Sequence, residues 1–252
     1  MRLARVGFVP LKGTRHPALP RAELALGGPV GDRLFCLVDP ERAMVLRTVA
    51  NPQLMQVEAR WRDRELRVCL PDGSEAGDVP EPTGQRLDLD YWGRRPVLAV
   101  QRSAVAVAMS DFLGRSVLLA RVVGDGDVVY GDPVTLVTTS ELAELGERVG
   151  RPALAEESAR FRATLTVDDG DAPGSVRPGV RLQVGEAVVE VTGAVPRCAV
   201  IDRDPRTGER SGALLAALAS YRRREGEVWF GVQARVVVAG ACAPGGVVQV
   251  QR

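Results

Sequence analysis

The sequence predicts a mainly β protein with a few helices, built as two β-barrel-like domains with a cleft between them. Three observations carry this. The apolar runs are short and rich in valine, the length of strands rather than helices. Turn residues punctuate them densely, with 27 glycines and 17 prolines in 252 residues. Only three segments carry helical patterning. Short strands at even spacing belong to barrels and sandwiches rather than to a doubly wound parallel sheet.

Taken in order, residues 1–13 read as a first strand. They lack the apolar core of a secretory signal, because Val9-Pro10 and Lys12-Gly13 interrupt them early. The protein is therefore expected to be cytoplasmic. His16 to Pro20 reads as a surface loop. Arg33 to Val38 and Glu65 to Leu70 read as strands, and Pro71 to Gly84 as a second surface loop. Alternation from Arg86 to Tyr91 predicts a half-buried strand. Ser103 to Leu113 is an apolar helix ended by Gly114. The polar, turn-rich stretch 122–133 contains Gly124-Asp125-Gly126-Asp127 and Gly131-Asp132-Pro133, and it divides the chain into domains 1–122 and 123–252. Thr139 or Ser140 caps a helix that runs to Arg148 and ends at Gly150. Strands follow at Ala163–Val167, Ala187–Val191 and Ala234–Val238. A third helix, Gly212 to Arg224, ends in three arginines that suit its dipole.

Composition excludes several function classes. A net charge of +1 gives no bulk field for nucleic acid or an anionic membrane, and no apolar stretch approaches 18 residues. Cys36, Cys69, Cys198 and Cys242 lie too far apart for a disulfide framework or a structural zinc site. One histidine, His16, rules out histidine-rich metal sites. Its place beside Pro17 makes it a poor general base. One lysine, Lys12, stands against 32 arginines. Coding bias explains the arginines, while a lone ammonium in a Pro-Leu-Lys-Gly turn also fits a site that needs a compact cation.

Chemistry concentrates around Cys198. The segment Pro196-Arg197-Cys198 holds a thiol in an extended stretch beside a positive charge, which favours thiolate and a soft metal. A buried strand cysteine is the alternative. Arg160-Phe161-Arg162 places two arginines at a strand mouth, suited to a phosphate or to surface ion pairs. Thr138-Thr139-Ser140 at a helix start suits an anion or an ordinary cap. No Walker loop or Gly-x-Gly-x-x-Gly is present.

The motifs occur in a set order: Pro10-Leu11-Lys12-Gly13, Gly31 to Asp39, Leu87 to Gly93, Asp132 to Leu142, Arg160 to Arg162, Arg197 to Gly208, and Phe230 to Val236. This series resembles MOSC proteins that carry the family's N-terminal β-barrel domain, among them the amidoxime-reducing components. The resemblance implies a molybdenum–pyranopterin cofactor between the domains. Cys198 would ligate molybdenum, and Lys12, Arg47, Thr139, Ser140, Arg162 and Arg197 would hold the cofactor. It implies an oxidoreductase that reduces N-hydroxylated small molecules. The chain carries no cysteine cluster for an iron–sulfur domain, so a separate electron-donor protein is expected. A sulfur carrier with a Cys198 persulfide, or a cofactor-binding protein without turnover, are the rival expectations. Gly13, Leu46, Ala163 and Thr164 depart from residues common in the family, at positions around the cofactor.

Overall fold

The computed structural model describes residues 1–124 and 128–251. It is mainly β, with three α-helices among the described residues: α1 (Ala104–Leu113), α2 (Thr139–Arg148) and α3 (Leu214–Arg222). The larger sheet runs in the order Arg2–Val6, Leu165–Asp168, Val134–Thr138, Glu227–Val238, Ala187–Pro196, Arg181–Val184 and Val248–Gln251. Arg2 bridges Val247, and the Val248 amide donates to the Met1 carbonyl at 3.0 Å. The two ends of the sheet therefore meet, and the barrel nearly closes. Alternation in Arg181–Val184 sends Leu182 and Val184 inward, where they join Val134, Leu136, Val189 and Val236 in the barrel core.

The first strand belongs to this barrel although it opens the chain, since Arg2–Val6 pairs with Leu165–Asp168. Ala22–Ala25 likewise pairs with Gly240–Cys242. The second barrel is a five-stranded sheet in the order Met44–Val45, Phe35–Asp39, Leu118–Val122, Val97–Arg102 and Glu81–Asp88. A three-stranded sheet, Glu58–Arg62, Glu65–Cys69 and Glu75–Asp78, accompanies it. Phe35–Asp39 is buried on both faces. Its period of two divides it between two cores, with Phe35 and Leu37 in one and Cys36 and Val38 in the other.

Several sequence expectations change. Pro71 to Gly84 is not simply a loop, because it contains the strand Glu75–Asp78 and the start of Glu81–Asp88. These strands are polar, Glu81–Asp88 largely exposed and Glu75–Asp78 mostly half-buried, so cross-strand pairing rather than an apolar pattern defines them. The strand expected at Arg86–Tyr91 ends at Asp88. Leu89 and Tyr91 are buried just beyond it. His16 lies in a loop but is buried, not at the surface. Gly124 ends the described part of the connector, and Asp125, Gly126 and Asp127 lie outside the described residues. Among the described residues no helix is long and apolar enough to cross a membrane.

Candidate functional site

Cys198 follows the long strand Ala187–Pro196 and stands at the start of a short 3-10 turn, Ala199–Asp202. It is exposed, which removes the alternative of a buried strand cysteine. Chain geometry fixes this position. Asp202 Oδ1 accepts the Leu215 amide at 2.8 Å and so caps α3. Asp204 Oδ1 accepts the Arg206 and Thr207 amides at 2.8 and 3.0 Å, an Asx turn. Below the loop Arg160 is almost wholly buried, and its Nη1 donates to the Arg203 carbonyl and to Ser211 Oγ. Its Nε donates to Glu157 at 3.1 Å. Arg160 is thus consumed by the scaffold.

Arg162, two residues on, is used differently. It has a left-handed backbone (φ 51°), and its Nη1 is buried with no partner among the described residues. Burial lowers its pKa to about 10, with Arg33 adding to the effect and Asp32 and Cys198 opposing it. Arg197 donates from Nε to the Phe230 carbonyl at 2.7 Å and from Nη1 to the Phe161 carbonyl at 2.8 Å. Its Nη2 is buried without a partner among the described residues. Burial lowers this pKa to about 10 as well, while Glu141 and Cys198 oppose the shift. A Cβ on Gly231 would lie 3.0 Å from that Nη2 and 2.4 Å from the Leu136 carbonyl. Glycine there, at φ 69°, keeps the guanidinium in place.

Lys12 joins the same field from the first domain. Its Nζ donates to the Val128 carbonyl at 3.1 Å and lies 5.1 Å from the centre of the Tyr91 ring. Burial lowers its pKa to about 7; Arg33 and Arg162 lower it further, and Cys36 and Asp32 oppose them. Arg33, held against Asp32 at 2.6 Å, and Arg5 complete the cationic group. Asp32 and Arg33, within Gly31 to Asp39, and Arg5 carry no role that the sequence alone assigns. Their spacing along the chain carries no signal; the pairing of Arg2–Val6 with the far barrel brings Arg5 in. His16 accepts or shares a bond with Arg5 at 3.0 Å, and burial with the nearby arginines holds its pKa well below the ordinary range.

Thr139 and Ser140 are in use already. The cap of α2 is Thr138, whose side chain accepts the Glu141 amide at 3.3 Å. The buried Asp169 carboxylate accepts the Ser140 amide at 3.0 Å and both hydroxyls, so the helix start holds an anion supplied by the chain. Arg47 lies apart from this network, its guanidinium 5.1 Å from the centre of the Trp92 ring. Departures from the family pattern have local causes. Gly13 has φ 95°, and a Cβ there would meet Leu54 at 2.9 Å. Ala163 and Thr164 are buried beneath the site, where Thr164 Oγ1 accepts the Thr135 amide at 3.2 Å.

Comparison with known families agrees with this architecture. Residues 125–249 match the MOSC domain, and residues 1–116 match the MOSC N-terminal beta barrel domain. The chain belongs to the MOSC superfamily. It is similar to the molybdenum cofactor sulfurase of Caenorhabditis elegans, 25% identical over 90% of this chain and 32% of that protein. The molybdenum cofactor sulfurase of Oryza sativa subsp. japonica is 30% identical over 38% of this chain and 13% of that protein. The chain thus spans about a third or less of these curated relatives. Among solved structures, the YUAD protein from Bacillus subtilis aligns over 99% of this chain and 94% of its own, with 14% identity and a TM-score of 0.47.

Proposed function

We propose that this chain binds a phosphate-bearing molybdenum–pyranopterin cofactor at the cationic group of Lys12, Arg162 and Arg197 and reduces N-hydroxylated small molecules. The observation that carries this reading is the pair of buried, unpartnered guanidinium nitrogens on Arg162 and Arg197, in the electrostatic field of an exposed Cys198. A buried donor with no acceptor costs about 1–3 kcal/mol. An anionic ligand between these arginines would recover that cost.

The residues fit such a group. Among the described residues no three His, Cys, Asp or Glu side chains gather as a metal site. A single thiolate from Cys198 suits a metal that arrives with its own organic ligands. Lys12, Arg162 and Arg197 would meet the anionic parts, with Arg47 at the Trp92 side. Thr139 and Ser140, satisfied by Asp169, would position α2 rather than touch the cofactor. When bound, the cofactor supplies two-electron oxygen-transfer chemistry, recharged by a separate electron-donor protein. The protein's own part is to orient the group, balance the thiolate charge with Arg162 and Arg197, and expose Cys198 to a small-molecule substrate.

A second reading is favoured by the relatives named molybdenum cofactor sulfurases. The exposed Cys198 thiol would take a sulfane sulfur from a donor persulfide, which leaves as its thiol, and pass that sulfur to an acceptor, returning to the thiol. Metal analysis of freshly purified protein separates the two. Near-stoichiometric molybdenum that is lost in Cys198→Ser supports the first. Molybdenum-free protein with cyanide-labile sulfur on Cys198 supports the second. Full molybdenum and activity in a folded Cys198→Ser protein would remove Cys198 as the ligand.

A further inference from the structure

Arg5 has no part in the function proposed above, yet the chain fixes its guanidinium on three acceptors. Its Nη2 donates to the His16 carbonyl at 2.8 Å, to the Pro17 carbonyl at 2.6 Å and to His16 Nδ1 at 3.0 Å. A guanidinium only donates, so His16 Nδ1 is the acceptor and the imidazole proton sits on Nε2. Gly7 leaves the room this needs, since a Cβ there would lie 2.6 Å from Arg5 Nη1 and 2.5 Å from the Pro17 carbonyl. All three bonds engage Nη2. The other terminal nitrogen, Nη1, is buried with no partner among the described residues.

Arg162 Nη1 is in the same condition. Strand pairing makes the two arginines neighbours. Arg5 pairs with Thr166, and the Gly7 amide donates to the Thr164 carbonyl at 2.9 Å, so the segment that carries Arg5 runs beside the residues that follow Arg162. Their charges act on each other accordingly. Burial first, then Arg162 and Arg5, lower the pKa of His16; burial, then Arg33 and Arg5, lower that of Arg162. Arg33 is matched by Asp32 at 2.6 Å, whereas neither Arg5 nor Arg162 has a carboxylate partner among the described residues. Two buried cations, each with a donor to spare, repel one another and lack acceptors. A ligand with two negative charges relieves both costs, and a single carboxylate brings only one charge. A phosphate monoester carries a charge of roughly −1.5 to −2 at neutral pH and three acceptor oxygens.

We propose that Arg5 and Arg162 form the seat of a dianionic phosphate monoester, each giving its free Nη1, with His16 as the positioning residue that aims Arg5. Resting on the function proposed above, that phosphate is the cofactor's. The seat draws one arginine from the opening strand and one from the segment before Leu165–Asp168, so the ligand ties together parts of the chain that lie more than 150 positions apart.

Inorganic phosphate is the probe, titrated by calorimetry into the full chain made in cells that cannot synthesise the pterin, with chloride at equal ionic strength as the control. Phosphate should bind and chloride should not. Arg5→Gln keeps a donor for the His16 and Pro17 carbonyls, so its thermal midpoint should stay near wild type. Its phosphate affinity should fall about tenfold to a hundredfold, the loss of one charge-assisted bond. His16→Asn retains an acceptor for Arg5 and should hold wild-type affinity, while His16→Leu should lose about threefold to tenfold. Wild-type affinity in folded Arg5→Gln, or equal affinities in His16→Asn and His16→Leu, would overturn the proposal. Protein loaded with molybdenum should take up no free phosphate; uptake equal to that of the pterin-free chain would overturn the assignment to the cofactor. Arg5-dependent phosphate binding in a protein that gains no molybdenum when the pterin is supplied would sink the cofactor reading and leave the phosphate seat standing.

Discussion

At the scale of single residues, the two arginines of Arg160-Phe161-Arg162 show how neighbours in sequence acquire opposite duties. Arg160 finds acceptors for its guanidinium in Glu157, Arg203 and Ser211, whereas Arg162 keeps one nitrogen buried and free. Lys12 adds a titratable charge. Its folded pKa of about 7 lies below the ordinary 10.5, so between these values the unfolded chain holds a proton that the folded protein has released. Stability of the ligand-free protein should therefore rise as pH climbs through that window. An anion bound beside Lys12 has the reverse effect, since it favours the protonated amine. Phosphate binding should take up a proton above pH 7 and weaken as pH rises. Lys12→Arg should flatten that dependence, and Lys12→Ala should weaken binding about tenfold to a hundredfold, the loss of one charge-assisted bond. Calorimetry between pH 6 and 9 checks both; a flat wild-type profile would remove Lys12 from the site.

At the scale of elements, the Cys198–Gly208 loop is held both by its own Asx turn at Asp204 and by Arg160 beneath it. Arg160→Leu would leave the Ile201 and Arg203 carbonyls without their buried donor. The expected cost is about 2–4 kcal/mol in urea unfolding, with disorder focused on this loop. The start of α2 is a milder case. Thr138→Ala should cost about 1 kcal/mol, the usual value of an N-cap. Asp169→Asn should cost more, because it removes the charge that meets the Ser140 amide and two hydroxyls. The helix boundaries themselves were legible. Ser103, accepting the Val105 amide, and Gly114 at φ 64° close α1 where local chemistry says they should. The α2 cap lies at Thr138, one or two residues before the expected Thr139 or Ser140, since three hydroxyl residues in a row offer equivalent signals.

At the scale of the whole molecule, the two barrels meet where the Asp-Pro-x-Thr-Gly turn touches the first domain. Gln56 Nε2 donates to the Thr207 carbonyl at 2.8 Å, and a Cβ on Gly208 would stand 2.2 Å from the Pro52 carbonyl. Gly208 also has φ 72°. Gly208→Ala therefore combines backbone strain with a clash between domains. It should destabilise by more than about 1 kcal/mol and weaken phosphate binding at the cationic group. A thermal midpoint and phosphate affinity equal to wild type would show that the contact does not hold the domains in register.

The sequence by itself determined the kind of protein. Short valine-rich runs between turns encode strands locally, and helix caps and glycine stops encode helix ends. The ordered motifs carried the family, and Pro196-Arg197-Cys198 carried the candidate centre. Tertiary structure decided what those residues do. Strand pairing across about 160 residues placed Arg2–Val6, and with it Arg5, in the larger barrel formed mostly by the C-terminal half of the chain. Packing settled which arginine is spent on carbonyls and which hydroxyls are taken by Asp169. Burial and partner choice depend on contacts distant in the chain, and those contacts exist only once the barrels close and dock.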